Sequence, residues 1–526
     1  MRRAYGPPPT AAPTPSRGSA LGSSDGADGD RRQATHLGVR ARRVLGDPGS
    51  VGAVDGADVA RASPGRTRHR LPRLDLLAAL RGVHGPTPLR TQEARAVASR
   101  RCVSGRRRYI VRVTVARLLT TARRTLLGLL GLQVGLAVAL SLVDSYRRRG
   151  KKPKPFPVTG PETVPVGDGL ITTYTFGRDL YDDMLAAIDG AKKQILFETY
   201  IWKGDEIGWK FKTALTAAAD RGVDVHCIYD GFANMVVSPA FKRFSPSLKV
   251  LRYPVWTAGL RFWDLRHYGR NHRKMLVVDE EVAFLGGYNI GSAYATEWRD
   301  THVRITGPGV WDLKRAFADF WNLNRRHRLR RSERPLLLET SSQWDPQIRI
   351  HRNSPRQWNF PIRSMYLEAI NRSSRNIWLT TAYFLPDQDF VDALTDAARR
   401  GVDVRILLPL KSNHIVADWI SRGYYGQLLA SGARILRFKD AMVHAKTATI
   451  DGSWATVGTA NIDRLSLQGN YEINIEVIDP DFAAVMERVF LTDEGNCLEL
   501  TLHEWEARDL NRKFTESFLA PLRPLL

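Results

Sequence analysis

The second half of this chain repeats the first, and this repeat limits the folds open to it. LAAIDGAKKQILFETYIW (185–202) is followed by TAAADRGVDVHCIYD (216–230), just as LEAINRSSRNIWLTTAYFLP (367–386) is followed by TDAARRGVDVRILLP (395–409). Each half reads as a helix, a strand, a second helix and RGVDV opening another strand. The alternation predicts an α/β fold of two similar lobes, related by a pseudo-two-fold axis, with mixed sheets flanked by helices.

Each half also contains one copy of a His-x-Lys-x-x-x-x-Asp pattern in a short apolar stretch. The two copies are His272, Lys274 and Asp279, and His444, Lys446 and Asp451. The match continues outward, because Asn289 and Asn461 each lie 17 residues after their histidine, and Asp300 and Glu472 each lie 28 residues after it. A single motif of this kind has a real false-positive risk, which two matched sets greatly reduce.

The residue types in the pattern suit a phosphate group. Alternate residues of a strand share a face, so each histidine is expected beside its lysine. Lysine supplies a compact positive charge, asparagine an amide donor and the adjacent glycines a close backbone approach. Histidine can act as nucleophile or proton donor near neutrality, and a carboxylate can fix its tautomer. Facing each other, the two sets would form one roughly two-fold site around a phosphate.

The paired motifs resemble those of the phospholipase D superfamily. RNHRKMLVVDEEVAFLGGYNIG and GTANIDRLSLQGNYEINIEV are similar to its bacterial cardiolipin synthase branch, and the resemblance covers roughly residues 166–526. It implies phosphatidyl transfer without metal or cofactor, through a phosphohistidine, with two phosphatidylglycerol molecules giving cardiolipin and glycerol. Phosphatidylglycerol and other phospholipids, such as phosphatidylethanolamine, are the implied substrates.

The resemblance also implies roles for individual residues. His272 is the expected nucleophile, and His444 the expected acid and base. Four side chains are expected to hold the phosphoryl oxygens, namely Lys274, Lys446, Asn289 and Asn461. Asp300 and Glu472 are expected to orient the histidines. Asp279 and Asp451 belong to the catalytic motif, but their places at hairpin corners predict a supporting structural role.

Two other function classes stay open at this stage. The same site could use water as acceptor, giving a phospholipase D hydrolase, or nucleic acid as substrate, giving a nuclease. Residues 151–526 contain 50 Lys and Arg against 45 Asp and Glu, which is weak support for nucleic-acid binding, so no nucleic acid is expected. A non-enzymatic protein that binds anionic lipid is less consistent with two intact motifs. No obligate protein partner is evident.

The N-terminal third differs from the rest in charge and hydropathy. Residues 1–150 contain 28 Lys and Arg against 9 Asp and Glu, and residues 1–124 are predicted to be a disordered basic extension. Residues 125–143 contain no charge and are long enough for one transmembrane helix, with a buried core helix as the alternative. Basic flanks favour the span, which predicts a protein of the bacterial inner membrane. A basic, Pro-containing linker (144–165) then leads to lobe 1 (166–335) and lobe 2 (336–526).

The three cysteines are widely spaced and odd in number. Their spacing indicates neither a disulfide framework nor a cysteine metal site. The remaining histidines have no partners at ligand spacing. The sequence therefore predicts no metal centre.

Overall fold

A computed structural model gives the architecture of the two lobes. It describes residues 119–125, 127–128, 131–133, 135, 139, 142–143, 146, 154–256, 267–325, 335–341 and 345–520. Both lobes belong to one compact unit.

Lobe 1 alternates strands and helices along the chain. Its strands are β1 (Glu162–Val166), β2 (Gly169–Tyr174), β3 (Gln194–Thr199), β4 (Asp224–Asp230), β5 (Lys249–Tyr253), β6 (Met275–Val278), β7 (Val282–Gly286), β8 (Trp298–Arg299) and β9 (His302–Thr306). Its helices are α1 (Gly177–Gly190), α2 (Glu206–Asp220), α3 (Ser292–Thr296) and α4 (Gly309–Asn324).

Lobe 2 has a similar succession of elements, with helices added between its second and third parallel strands and further elements at its C-terminal end. Its strands are β10 (Ile348–Arg352), β11 (Asn376–Thr380), β12 (Phe384–Leu385), β13 (Asp403–Pro409), β14 (Arg434–Phe438), β15 (Met442–Val443), β16 (Thr447–Ile450), β17 (Trp454–Gly458), β18 (Ile462–Asp463), β19 (Ile473–Ile478) and β20 (Cys497–Leu500). Its helices are α5 (Pro361–Arg372), α6 (Gln388–Arg399), α7 (Ile415–Ser421), α8 (Tyr425–Ala430), α9 (Arg464–Gln468), α10 (Pro480–Glu494), α11 (Leu502–Glu506) and α12 (Leu510–Leu519).

The two large sheets confirm the predicted pair of similar lobes with mixed sheets. Lobe 1 has the strand order β1-β2-β9-β7-β6-β3-β4-β5, and lobe 2 has β10-β19-β17-β16-β11-β13-β14-β20. Without β1 and β20, the seven remaining strands correspond one to one. In both sheets three strands run parallel, and the hairpin that follows the motif lies antiparallel beside them.

The repeated RGVDV sequence has a local structural reason. Gly222 and Gly401 follow the ends of α2 and α6 with φ angles of +94° and +91°, where glycine avoids the strain of a side chain. The amides of Val223 and Val402 then bond back to the carbonyls of Ala218 and Ala397, as in a Schellman motif. The aspartate after each valine begins the next parallel strand, so this sequence ends a helix and starts a strand.

The lobes share one apolar core. Strand β7 lies against β17 and β19 of the other lobe, α4 packs on β10, and α10 packs on β1. Leu285, Phe317, Val457 and Ile475 are fully buried in this shared cluster. Burying one such side chain contributes about 1.5–3 kcal/mol, so the core fixes how the two motif strands face each other.

The predicted N-terminal segments fall largely outside the described residues. Of the predicted extension 1–124, only residues 119–124 are described, and they are helical. Of the predicted span 125–143, the structure describes residues 125, 127–128, 131–133, 135, 139 and 142–143, also helical. Within the described residues, no helix is both long and apolar enough to cross a membrane. The predicted linker ends inside β1, which already belongs to the lobe 1 sheet.

Candidate active site

The two motif histidines lie where one lobe meets the other. His272 and Lys274 directly precede β6 rather than lying within it, and His444 and Lys446 likewise precede β16. The backbone amide of His272 donates to the carbonyl of Tyr471 at 3.0 Å, and that of His444 donates to the carbonyl of Arg299 at 2.6 Å. Each motif is thus joined to the segment of the opposite lobe that ends in the predicted orienting carboxylate.

The carboxylates orient the histidines across the interface. His272 Nδ1 lies 2.9 Å from Glu472 Oε2, and His444 Nδ1 lies 2.6 Å from Asp300 Oδ2. The sequence spacing paired each carboxylate with the histidine of its own lobe. In the folded chain, each histidine instead contacts the carboxylate of the opposite lobe. Because Nδ1 of each ring faces a carboxylate, Nε2 is the nitrogen left for a substrate.

Burial decides the protonation of the two histidine rings. The pKa of His272 is lowered chiefly by loss of solvation, and Glu472 only partly opposes this shift. The pKa of His444 is lowered by the same cause and by the charge of Lys446. Although burial acts to raise the pKa of Asp300, Lys446 and His444 lower it. The site therefore contains neutral imidazoles near neutral pH.

Both lysines are almost fully buried beside their histidines. Lys274 Nζ donates to the carbonyl of His272 at 2.5 Å, and Lys446 Nζ donates to the carbonyl of His444. Burial lowers the pKa of Lys274 to about 7 and that of Lys446 to about 8. Their charges are thus sensitive to pH near neutrality, and an anion beside them would favour the protonated form.

The two motif asparagines are both buried but are held differently. Asn289 Oδ1 accepts from the backbone amide of Ile201 at 3.1 Å, which leaves its amide N–H groups for another acceptor. Asn461 Oδ1 has no hydrogen-bond partner among the described residues. Both amides have hydrogen-bonding capacity that the described protein groups do not use.

The residue two positions before each asparagine differs between the lobes. A Cβ atom on Gly287 would lie 2.0 Å from Asp300 Oδ1, so the carboxylate occupies the space that a side chain would need. In lobe 2 the same position is Thr459, whose hydroxyl donates to Glu472 Oε2 at 2.6 Å. The lobes therefore pair glycine with the shorter acid and threonine with the longer one.

Asp279 and Asp451 have structural contacts, as their places at hairpin corners predicted. Both lie in left-handed backbone, with φ angles of +54° and +55°. Asp279 accepts from the backbone amides of residues 192, 193 and 194 at 2.7–2.8 Å, and Asp451 accepts from those of residues 374, 375 and 376 at 2.8–3.0 Å. Neither lines the cavity described next, so each holds the loop before its central strand.

A cavity of about 350 Å³ brings the two half-sites together. It is lined by Tyr200, Ile201, His272, Asn289, Tyr294, Trp298, Tyr383, Leu385, Asn413, His414, Val416, Ala417, His444, Asn461, Asp463, Leu465, Ser466 and Asn470. Both predicted histidines and both asparagines are among these residues. Sequence reasoning missed the aromatic rings beside the histidines, Tyr200 at 4.7 Å and Trp298 at 5.1 Å between ring centroids.

Sequence reasoning also missed Asp463. It lies two positions after Asn461, and the corresponding position after Asn289 is Gly291. Aligning the two halves residue by residue would have revealed this unmatched carboxylate. In the part of the chain that the structure describes, no group of three or more His, Cys, Asp or Glu could hold a metal ion.

Comparison with known proteins agrees with this geometry. The family model described as "Cardiolipin synthase, PLD-like domain" matches residues 184–321 and 366–493. A cardiolipin synthase from Clostridium perfringens is 34% identical over 369 residues, covering 68% of this chain and 77% of the relative. Cardiolipin synthase 1 from Bacillus anthracis is 32% identical over 378 residues, covering 67% of this chain and 72% of the relative.

Among solved structures, phosphatidylserine synthase from Haemophilus influenzae Rd KW20 has a similar fold. The TM-score is 0.53 at 15% sequence identity, and the match covers 68% of this chain and 93% of that chain. Two matched domains in tandem, each with its histidine at one shared cavity, agree with the relationship found by sequence. The chain therefore belongs to the cardiolipin synthase family of phospholipase D-like phosphatidyltransferases.

Proposed function

We propose that this protein is a cardiolipin synthase that transfers a phosphatidyl group from one phosphatidylglycerol to another and releases glycerol. The observation that supports it best is the shared cavity, in which two histidines from repeated lobes each face the opposite lobe's carboxylate. Phosphodiester transfer requires a nucleophile, an acid and base in line with it, and neutralisation of the phosphoryl oxygens. Paired histidine, lysine and asparagine supply these three requirements.

In the proposed first step, His272 Nε2 attacks the phosphorus of phosphatidylglycerol. A bond forms between this nitrogen and phosphorus, and the bond from phosphorus to the head-group oxygen breaks. His444 donates a proton to the departing glycerol oxygen. Burial favours the neutral ring before substrate binds, but an anionic phosphodiester favours its protonated form, so substrate binding helps to charge the acid.

In the second step, the incoming alcohol is a hydroxyl of another phosphatidylglycerol. His444, now neutral, takes the proton from this hydroxyl as its oxygen attacks phosphorus. The bond between phosphorus and His272 breaks, and cardiolipin leaves. The enzyme returns to its starting state, and no group outside the two substrates is consumed.

The remaining motif residues support this reaction without forming covalent bonds. Lys274, Lys446, Asn289 and Asn461 would hold the phosphoryl oxygens, where preorganised donors stabilise the charge that develops in the transition state. Asp300 and Glu472 would keep Nε2 of each ring directed at the phosphate. Asp279 and Asp451 contribute through the fold.

The proposed location is the bacterial inner membrane. Its support is the uncharged sequence 125–143 between basic flanks, together with the lipid substrates implied by the family. A single anchor would keep the catalytic lobes close to substrates that diffuse in the bilayer.

Lipid analysis tests the proposed reaction directly. Purified protein is incubated with phosphatidylglycerol micelles, beside His272→Ala, His444→Ala and the matched control His503→Ala, whose residue is exposed on α11. Thin-layer chromatography and mass spectrometry should show cardiolipin and glycerol from the wild type and the control only. Phosphatidic acid in place of cardiolipin would make the protein a hydrolase, and no product would contradict the proposal.

A further inference from the structure

The two lobes contribute unequally to the lining of the cavity, although their sequences repeat. Lobe 2 provides twice as many of its lining residues as lobe 1, partly through the segment between β13 and α7 that includes Asn413 and His414. Around His272, lobe 1 instead provides aromatic and aliphatic groups, including Tyr200 and Ile201. Among the described residues that line the cavity, lobe 1 contributes no counterpart of Asn413 and His414.

Asp463 is the acidic residue that lobe 2 adds to the cavity lining. Its pseudo-equivalent, Gly291, has no side chain, so lobe 1 presents no carboxylate at this position. The equivalence is structural as well as sequential, since Ile290 forms a bridge with Trp202 and Ile462 pairs with Phe384. The carboxylate is therefore an addition to the repeated site and not a part of the shared motif.

The contacts of Asp463 leave it able to bind a ligand. Its Oδ1 accepts from the backbone amide of Ser466 at 2.6 Å, which begins the short helix α9. Asp300 and Glu472 face histidines, whereas Asp463 lines the cavity and is 6% exposed. Burial raises the pKa of its carboxyl to about 7, although the backbone amide of Ser466 and the charge of Lys446 oppose this shift.

Two asparagines that line the same cavity as Asp463 have their amide oxygens occupied. Asn413 Oδ1 accepts from the Tyr383 hydroxyl at 2.5 Å, and Asn470 Oδ1 accepts from the backbone amide of Arg270 at 2.9 Å. Both side chains line the cavity and retain amide N–H donors. The cavity thus combines a carboxylate acceptor with amide donors.

A hydroxyl group matches this combination, because it donates one hydrogen bond and accepts others. An ammonium head group only donates, so it could use Asp463 but not the amide donors, and it would lie near the charge of Lys446. We infer that Asp463, Asn413 and Asn470 form a subsite for the neighbouring hydroxyls of a glycerol head group, as leaving group or as acceptor. This inference rests on the proposed phosphatidyl transfer.

Competition between soluble alcohols tests the subsite. Full-length protein is given phosphatidylglycerol micelles with equal concentrations of ¹³C-labelled glycerol, 1,2-propanediol, 1-propanol and ethanolamine, and the phosphatidyl products are measured by mass spectrometry. The variants are Asp463→Asn and Asp463→Ser, both of which can still cap α9. The matched control is Asp479→Asn, which makes the same change at the cap of α10, where Asp479 accepts from Phe482.

The wild type and the control should favour glycerol and 1,2-propanediol over 1-propanol. Loss of a hydrogen bond to a charged group should lower this preference about tenfold in both Asp463 variants. An unchanged preference in either folded variant, or a wild type without preference, would overturn the subsite while transfer itself stands. A selective loss of the ethanolamine product would also overturn it, in favour of ammonium binding. If the wild type forms no phosphatidyl product with any acceptor, the proposed function fails and the subsite fails with it.

Discussion

The two half-sites share a motif but differ in how they hold the acid that orients each histidine. In one half-site, Thr459 donates to Glu472, which faces His272. In the other half-site, Gly287 leaves space for Asp300, which faces His444. The same backbone spacing thus accommodates acids of different length. The difference shows that the repeat preserves the position of the carboxylate oxygen and not the residues that support it.

The largest expected effect comes from removing either ring. His272→Asn and His444→Asn should each lower kcat for cardiolipin formation at least about 10³-fold, because one supplies the nucleophile and the other the acid and base. The double variant should be little worse than either single one, since the rings act as a unit. A single variant that retains kcat within about tenfold of the wild type would show that only one half-site is essential, which contradicts the proposed roles of the two rings.

Removing the charge of an orienting acid should have a smaller effect. Glu472→Gln and Asp300→Asn should each lower kcat roughly 10²-fold, since an amide no longer fixes the tautomer and orientation of the ring across the interface. The pH–rate profile should also change shape in both variants, which a purely structural loss would not cause.

A histidine–glutamate pair outside the cavity provides the control for these acids. Glu476 Oε2 lies 2.7 Å from His351 Nε2 on the lobe 2 sheet. Glu476→Gln should keep kcat within about twofold of the wild type. Equal losses of kcat in Glu472→Gln, Asp300→Asn and Glu476→Gln would show that sheet stability, and not orientation of the catalytic rings, explains the effect.

The buried lysines predict how activity depends on pH. Their lowered pKa values, about 7 for Lys274 and about 8 for Lys446, mean that both lose charge as pH rises through this range. Because kcat/KM reports the free enzyme, it should fall on the alkaline side, about tenfold per pH unit for each lysine that must be charged.

Lysine substitutions test whether these two lysines cause the fall of kcat/KM at alkaline pH. Lys274 has the lower pKa and should set the pH at which kcat/KM begins to fall. Lys274→Arg keeps a positive charge and should move this fall to higher pH, whereas Lys210→Arg on the surface of α2 should leave it in place. A kcat/KM that stays constant to pH 9 would contradict the requirement for charged lysines. If the fall of kcat/KM begins at the same pH in Lys274→Arg, another group is responsible for it.

The smallest effect on catalysis is expected from the motif aspartates. Asp279→Ala and Asp451→Ala should each lower the free energy of unfolding by about 1–3 kcal/mol in urea, through loss of backbone contacts, with KM for phosphatidylglycerol unchanged. Backbone N–H groups lower the pKa of both carboxyls against the opposing effect of burial. This stabilisation is therefore present above the unfolded-state pKa and is lost as pH falls through the folded-state value.

The exposed carboxylate of Asp189 provides the control for these two variants. It makes an ion pair with Arg221 at 3.7 Å, and such a surface pair contributes little. Asp189→Ala should therefore change the free energy of unfolding by less than about 1 kcal/mol. A large rise in KM in either motif variant would place that aspartate in substrate binding after all.

The fold could be predicted from the sequence because its signals are local. RGVDV specifies a helix end and a strand start through one glycine and one aspartate, and it occurs twice. The β hairpin after each motif follows from apolar runs and a turn. The strand order β2-β9-β7-β6-β3-β4-β5 could not be predicted, since it depends on pairing between strands distant in sequence.

The site could be predicted less completely than the fold. The motif spacing identified the histidines, asparagines and carboxylates, but their exchange across the interface depends on the packing of the lobes, which no local pattern encodes. Tyr200 and Trp298 contact the rings from elements outside the motif. Asp463 was missed because the motif ends at Asn461, although its unmatched partner Gly291 was visible in the sequence.

A substrate with a good leaving group can show whether the two histidines divide the chemistry between nucleophile and acid. Phosphatidyl-p-nitrophenol needs no acid to release its alcohol. His444→Ala should therefore give a burst of p-nitrophenol equal to the enzyme present and then stall, with the phosphatidyl group on His272 by peptide mass spectrometry. His272→Ala should give no burst. A burst from His272→Ala, or from neither variant, would contradict the assignment of His272 as nucleophile.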